Sequence, residues 1–237
     1  MPTPAEVLAT VNRTDSAAPR ITCYDDQPGP TAGERVELSG RVLGTWVSKA
    51  ANAMQEEWDL EPGSVVRLAM RPHWRLLYWA WAAWSVGAVV DLKGAGPADL
   101  VVTDDPERLP DDAPAVLVTR AALARRADAP VPDGVMDEAA DLATHGDLFT
   151  PWAEPEGDDT ALRLGGEETS YADVVDMARS GSTIDDGARV QLVDPSAQAL
   201  LVTALAVWSA GGSLVVHLGP VEDETLAHRA QTEGVTA

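Results

Sequence analysis

The sequence has very little cysteine. Cys23 is the single cysteine among 237 residues. One thiol excludes an intrachain disulfide and any zinc site built from several cysteines. The N-terminal stretch MPTPAEVLATVNRTDS also lacks the basic start and apolar run of a signal peptide. A chain without disulfides suits a reducing compartment, so we expect a cytoplasmic protein.

Positive charge is scarce as well. Lysine and arginine together number 17 against 38 acidic residues, which gives a formal net charge of -21, and the only lysines are Lys49 and Lys93. A surface this acidic repels phosphate backbones and anionic lipid headgroups. The composition therefore predicts neither a nucleic-acid partner nor a membrane partner.

The sequence contains no apolar run long enough to cross a bilayer. Its longest apolar stretch, LLYWAWAAWSVGAVV at residues 76–90, falls short of the ~20 residues that a spanning helix needs. Gly87 also interrupts it. Hydrophobic residues nevertheless make up 45% of the chain, enough for a packed core. We interpret the stretch as a buried helix that leads into a strand.

An internal repeat is the clearest positive feature. GSVVRLAMRPHWRLLYWAWAAWSVGAVVDL starts at Gly63, and GARVQLVDPSAQALLVTALAVWSAGGSLVVHL starts at Gly187, 124 residues later. Glycine, valine, leucine and Trp-Ser-x-Gly positions match in register, including Trp84 with Trp208. Each copy has the order turn, strand, helix, glycine, strand. That order predicts a βαβ unit with parallel strands and a right-handed crossover.

The repeat predicts an α/β fold made of two related three-layer (αβα) halves with mostly parallel sheets. We expect the halves at residues 1–150 and 151–237, the second truncated, within one compact unit. The proline- and acid-rich PWAEPEGDD at 151–159 marks the boundary. Val65–Ala69 and Arg189–Val193 should be equivalent central strands. Beyond a helix built around Leu226 and Ala230, the edge of the second sheet should be covered by residues 128–155 or by a second copy of the chain.

Residues 37–92, followed by ADLVVTDD at 98–105, resemble the opening of adenylate-forming (AMP-binding) enzymes, which include the acyl-CoA synthetases. The pattern there is a strand, a helix, "PGDRVAL", a second helix and "GAVVVPL". Residues 187–218 resemble a later segment of the same enzymes. The chain looks closest to a short actinobacterial protein family of unknown function, distantly related to the N-terminal region of those enzymes. The resemblance implies their α/β fold.

The resemblance also shows which parts are missing. The enzymes wrap ATP phosphates in a Thr/Ser/Gly-rich loop that ends Pro-Lys-Gly. Here the corresponding stretch, DDTALRLGGEETSYADV, places Glu167 and Glu168 directly after Gly165-Gly166. We expect a hairpin with two carboxylates, which would repel phosphate in the absence of a metal. The sequence also stops before the enzymes' adenine- and ribose-binding segments and their catalytic lysine. The resemblance therefore transfers no catalytic, cofactor or metal residue, and we expect no cofactor.

The best candidate site is the crevice at the carboxyl ends of the repeated strands, where α/β proteins tend to bind ligands. The two matched strand-to-helix junctions would line it, through Arg71, His73, Asp194 and Ser196. The five Asp-Asp pairs stand in or beside turns, where aspartate bonds to local backbone, so turn formation explains them better than metal binding. A strand position explains Cys23 better than nucleophilic chemistry does.

Three functions stay open from the sequence. The first is a non-catalytic relative of the adenylating enzymes that binds a small apolar acid or its thioester in that crevice. The second is an interaction or dimerisation protein that uses the Trp-rich helix 73–86, with Trp79 and Trp84 at a partner surface. This helix has more large aromatic side chains than a single buried face would hold, so some of them are expected to face a partner. The third is an enzyme of unrecognised chemistry.

Overall fold

Two sheets organise the protein in the computed structural model, which describes residues 2–94 and 96–237. The large sheet has seven strands in the order β7-β6-β5-β3-β4-β8-β9, and the small sheet has four in the order β10-β11-β1-β2. The strands are β1 (Pro19–Asp25), β2 (Glu34–Ser39), β3 (Val65–Ala69), β4 (Val89–Asp91), β5 (Leu100–Thr103), β6 (Ala115–Leu117), β7 (Val135–Asp137), β8 (Thr160–Leu164), β9 (Glu167–Ser170), β10 (Arg189–Val193) and β11 (Ser213–Leu218).

Helices connect these strands and pack on the sheets. They are α1 (Pro4–Asp15), α2 (Gly40–Trp58), α3 (Trp74–Ser85), α4 (Glu138–Asp141), α5 (Val174–Ser180), α6 (Ala197–Ser209) and α7 (Asp223–Glu233), with 3₁₀ turns at Pro106–Arg108 and Leu142–Thr144. Ser39 caps α2 by accepting a hydrogen bond from the Val42 N–H, as its position before the apolar periodicity predicts. Among the described residues, no helix combines the length and apolar character needed to cross a membrane.

The predicted βαβ units are both present. β3 runs parallel to β4, with Val66 opposite Val90, and β10 runs parallel to β11, with Val190 opposite Leu214. The fold is mixed α/β with mostly parallel sheets, and the pairs β1–β2 and β8–β9 are antiparallel. One detail of the prediction is wrong: β3 is central in the large sheet, whereas β10 is the outermost strand of the small sheet.

The sheets do not follow the expected boundary near residue 150. β8 and β9 come after it and complete the large sheet, while β1 and β2 come before it and complete the small sheet. The small sheet therefore combines segments from both ends of the sequence, as when Ile21 pairs with Leu214. The division into 1–150 and 151–237 stays a prediction about domains, and the sheets themselves are interleaved.

The expected cover of the second sheet's edge by residues 128–155 is not the one observed. The strand Ser213–Leu218 lies inside the small sheet, between β10 and β1. The edge of β10 is occupied by the segment after α7: the Thr236 N–H donates to Arg189 O and the Gln191 N–H donates to Ala237 O, each at 2.9 Å. Part of the 128–155 region packs on α2 instead, where Asn52 donates to the Gly146 and Leu148 carbonyls.

Helix α3 forms the centre of the core. Trp79 is 0% exposed and Trp84 is 1% exposed. Two of the α3 indoles donate to backbone carbonyls around the helix: Trp81 to Pro4 O at 3.0 Å and Trp84 to Ala161 O at 2.8 Å. The assignment of Trp79 and Trp84 to a partner surface is therefore wrong, because neighbouring helices and the large sheet enclose α3 on every side.

Candidate functional site

A cleft of about 300 Å³ opens at the carboxyl ends of the parallel strands β3, β5 and β6. The chain leaves these strands through Arg71, Asp104 and Thr119, which all line the cleft. The opposite wall is the β1–β2 connection, with Pro28, Pro30 and Thr31. Because carboxyl ends of parallel strands are the usual ligand position in open α/β sheets, this cleft is the leading candidate site.

Two arginines and two aspartates form an ion-pair chain at the cleft. Arg71 Nε lies 2.8 Å from Asp104 Oδ2, and the Arg71 backbone N–H donates to Asp104 Oδ1 at 3.1 Å. Arg120 lies between the two sheets, 3.5 Å from both Asp104 and Asp25. Asp25 also accepts a 2.6 Å bond from the Thr31 hydroxyl. The chain balances two positive charges against two negative ones and joins the small sheet to the large sheet.

The two arginines differ in accessibility. The Arg71 side chain is 54% exposed, whereas that of Arg120 is 9% exposed. The carboxylates beneath them are almost fully buried. An incoming anion would therefore meet Arg71 first, and Arg120 is suited to holding Asp25 and Asp104 in place.

Apolar groups form most of the remaining wall. Leu117 is the last residue of β6 and Val118 follows it, while Ala121, Ala127 and Ala129 belong to the next segment of the chain. These short side chains leave space without adding hydrogen-bond donors or acceptors. Asp128, an exposed carboxylate, also lines this side. The cleft thus combines the accessible cation of Arg71 with a wall that is partly apolar and partly polar.

His73 lies behind the cleft. It is 2% exposed and caps α3 by accepting a 3.4 Å bond at Nδ1 from the Arg75 N–H. Burial, with the neighbouring charges of Arg75, Arg120 and Arg71, holds its pKa well below the usual value of a histidine. His73 is therefore neutral at pH 7, and its observed role is to start the helix.

Sequence reasoning missed a buried charged cluster beside the cleft wall. Arg75 Nη1 lies 2.7 Å from Glu138 Oε1, the Tyr78 hydroxyl donates to the same oxygen, and Arg75 Nη2 donates to the Ala121 carbonyl at 3.1 Å. Burial raises the pKa of Glu138, and Arg75 opposes that shift. The cluster fixes the Ala121 backbone. A charged residue in the apolar run PHWRLLYWAW was the available signal.

Asp194 and Ser196 occupy the matching junction of the small sheet. Asp194 has a left-handed backbone (φ 43°), and its Oδ1 accepts from the Gly219 N–H at 3.2 Å. Ser196 caps α6 by accepting a 3.1 Å bond from the Ala199 N–H. The structure therefore groups Arg71 with the β1–β2 connection, and Asp194 and Ser196 serve their own turn and helix.

The expected acidic hairpin is present. β8 and β9 pair antiparallel, with Leu164 opposite Glu167, and Gly165 and Gly166 turn the chain at positive φ. Arg163 lies 2.8 Å from Glu168 in an exposed ion pair. Within residues 2–94 and 96–237, no three or more histidine, cysteine or acidic side chains are grouped as metal ligands.

Comparison with known proteins places this fold. The chain matches no model of a protein family. It is 30% identical over 241 residues to a TIGR03089 family protein of Mycobacterium tuberculosis (strain ATCC 25618 / H37Rv), and the match covers 97% of this chain and 95% of that relative. The chain belongs to the TIGR03089 family.

Solved structures show the fold of this TIGR03089 protein. An acyl-CoA synthetase of Brucella canis superposes with a TM-score of 0.71 at 16% identity, covering 99% of this chain and 46% of that one. The inhibitor-bound N-terminal domain of FACL13 from Mycobacterium tuberculosis gives 0.72 at 14% identity, covering 99% and 62%. The chain thus spans about half the length of these structures. The resemblance to the N-terminal part of adenylate-forming enzymes is confirmed for the fold.

Proposed function

We propose that this TIGR03089 protein is a non-catalytic relative of the adenylate-forming enzymes that binds a small apolar carboxylic acid or its thioester in the cleft at Arg71. The supporting observation is the accessible guanidinium of Arg71 in a cleft of about 300 Å³ that is also lined by Leu117, Val118 and three alanines. That volume is at the lower end of the range for small-molecule sites, which favours a small ligand.

Arg71 suits a carboxylate or a polarised carbonyl. Its Nε is engaged with Asp104, and its backbone N–H holds the same carboxylate, so the guanidinium is oriented before a ligand arrives. A guanidinium offers donors in a planar fork that matches a carboxylate. Leu117, Val118 and the alanines would then contact the hydrocarbon part of the ligand.

The side chains near the cleft that could act as acids, bases or nucleophiles are either engaged in ion pairs and hydrogen bonds with each other or buried. Asp25 and Asp104 are ion paired, and the Thr31 hydroxyl donates to Asp25. His73 and Cys23 are buried behind the wall. Burial raises the pKa of Cys23 to about 12, so its thiol stays protonated. This arrangement favours binding over catalysis.

Binding can be tested directly on the purified protein. Native mass spectrometry should show a retained small molecule. Amide NMR spectra should also shift saturably on addition of hexanoate or of its N-acetylcysteamine thioester. We expect Arg71→Gln to weaken binding of the better probe at least tenfold, and Arg163→Gln, in the distant hairpin, to leave it unchanged. Absence of a retained ligand together with no response to either probe contradicts the proposal.

An interaction protein is the second candidate, now through a different surface. Leu148 is 89% exposed and Trp152 is 64% exposed, although the segment that carries them is held to α2 by side-chain hydrogen bonds. Trp152 is the most exposed tryptophan among the described residues. A stable dimer that Trp152→Ser dissociates, measured by light scattering, would favour this function over ligand binding.

A further inference from the structure

Helix α7 covers a polar face of the small sheet. On β1, Ile21 and Cys23 belong to the hydrophobic core, and the alternating Thr22 and Tyr24 belong to the opposite face. The Tyr24 side chain contacts Glu233 of α7. No residue of α7 is buried, so the helix adds no fully buried apolar side chain. Most helical stability in proteins comes from burying an apolar face, and α7 must depend on other contacts.

Two charged residues fix α7 to the sheet. Arg229 forms a bidentate pair with Asp26, at 2.5 and 3.0 Å, and its guanidinium lies over the Tyr24 ring, 4.2 Å from the centroid. Glu233 lies 2.9 Å from both Arg35 and Arg189 and accepts a 2.5 Å bond from the Tyr24 hydroxyl. These polar contacts connect α7 to β1, β2 and β10.

His217 lies in the middle of these contacts. The residue is 0% exposed, and its ring stacks on Tyr24 with centroids 5.2 Å apart and planes 6° apart. Its Nδ1 is 3.4 Å from Arg229 Nη1, and its Nε2 is 2.9 Å from the Gln191 side-chain amide.

These distances define one neutral tautomer. Arg229 can only donate, so Nδ1 must accept from it and Nε2 must carry the proton. The atom of Gln191 nearest Nε2 is the amide nitrogen, so the amide group must be turned by 180° for its oxygen to accept this proton. A second proton would add at Nδ1. The imidazolium would have no acceptor for Arg229 and would place a positive charge against that guanidinium.

We infer that α7 is a pH-sensitive cover of the small sheet that detaches when His217 becomes protonated. The segment after α7 pairs with β10, so detachment would also uncover that sheet edge. The charged and titratable groups around His217 are Tyr24 and Asp26 from β1 and its end, Arg189 from β10, Arg35 from β2, and Arg229 and Glu233 from α7.

The sign of the pH effect follows from these neighbours. Burial and Arg229 lower the pKa of His217, while Asp26 and Glu233 act in the opposite direction. An unfolded histidine titrates near pH ~6.5, so docking of α7 should weaken as the pH falls below that value. The pKa values of Asp26 and Glu233 are lowered as well. Both carboxylates therefore stay charged over the range in which a histidine ordinarily titrates, and the pH response in that range is assigned to His217.

Hydrogen exchange of the full chain tests the inference. Between pH 7.5 and 5.0, after correction for intrinsic exchange rates, we expect protection of residues 223–237 to fall at least tenfold more than that of α6. His217→Gln should remove this difference. His228→Gln, an exposed histidine on α7 itself, should retain it. Equal protection of α7 at both pH values, or an unchanged pH response in His217→Gln, overturns the inference.

A titration of the unaltered protein covers the case in which His217→Gln does not fold. The imidazole signals of His217 should titrate at a lower pH than those of an unfolded histidine, and the α7 amide signals should change with the same midpoint as His217. An α7 transition that follows His228 instead, or no α7 change while His217 titrates, contradicts the inference.

Discussion

The ring centroids of Trp81 and Trp208 lie 4.5 Å apart, and the two ring planes are inclined at 57°. Trp81 belongs to α3 and Trp208 to α6, the helices of the two repeated βαβ units. The Trp208 N–H donates to the Arg20 carbonyl at 3.1 Å, and the Trp81 N–H donates to the Pro4 carbonyl. The two repeat copies thus pack on each other through their helices, and each ring is also tied to the N-terminal part of the chain.

Replacing Trp208 by leucine should destabilise the protein by about 3 kcal/mol, because the change leaves a cavity and removes the partner of the Arg20 carbonyl. A double-mutant cycle with Trp81→Leu should give a coupling of about 0.5–1.5 kcal/mol. Urea unfolding measures both. Trp152→Leu, at an exposed position, should change stability by less than about 0.5 kcal/mol. A Trp208 effect as small as that control would contradict the packing argument.

Arg120→Met should be among the most damaging single substitutions. It leaves Asp25 and Asp104 buried with less compensating charge, and breaking a buried pair typically removes about 3–5 kcal/mol of unfolding free energy. Adding Asp25→Asn should recover part of that loss, because it removes one of the two stranded charges. The exposed pair of Arg163 and Glu168 provides the control, and Arg163→Met should change stability by about 0–1 kcal/mol. Equal effects of the two methionine substitutions would show that the link between the sheets does not depend on Arg120.

Cys23 should be chemically silent in the folded protein. Burial raises the pKa of its thiol to about 12, so the thiol stays protonated at pH 8. Labelling with a disulfide reagent should proceed at the rate of unfolding and accelerate as urea is added. Complete labelling within minutes in the absence of denaturant would show that β1 opens locally.

The hairpin at Gly165-Gly166 should not bind ATP. Glu167 and Glu168 follow the turn, and Arg163, the adjacent cation, is already paired with Glu168. Calorimetry with Mg-ATP should show no saturable heat in the millimolar range. Saturable binding with a Kd below about 100 μM, worth more than about 5 kcal/mol, would refute this expectation.

The parts of the fold that depend on nearby residues could be predicted from the sequence. The directions of β3, β4, β10 and β11 follow from the repeat, because a short crossover helix forces parallel strands. Sheet membership could not be predicted, since β1 with β11 and β4 with β8 are distant pairings that no local pattern encodes. Helix α1 was also missed, although Thr3 and Glu6 form a capping box at its start.

The candidate site could be predicted only in part, because only some of its residues are marked by a local sequence pattern. Arg71 was found because it directly follows a recognisable strand. Asp25 and Arg120 were missed as partners because Asp25 ends β1 and Arg120 follows β6, far apart in sequence, and they meet only where the two sheets approach. Trp79 and Trp84 were misplaced because helical spacing predicts a single buried stripe, whereas helices and the large sheet surround α3.

The interleaving of the sheets has a consequence for synthesis on the ribosome. β1 is made long before β11, yet β11 is one of its two neighbours, with Ile21 opposite Leu214. At about 5–20 residues per second, the β1–β2 hairpin would wait roughly 10 to 40 s for that neighbour. Until then one edge of β1, including Ile21 and Cys23, has no strand to pair with. Nascent chains of this protein should therefore be more prone to aggregation, and more dependent on chaperones, than the finished chain.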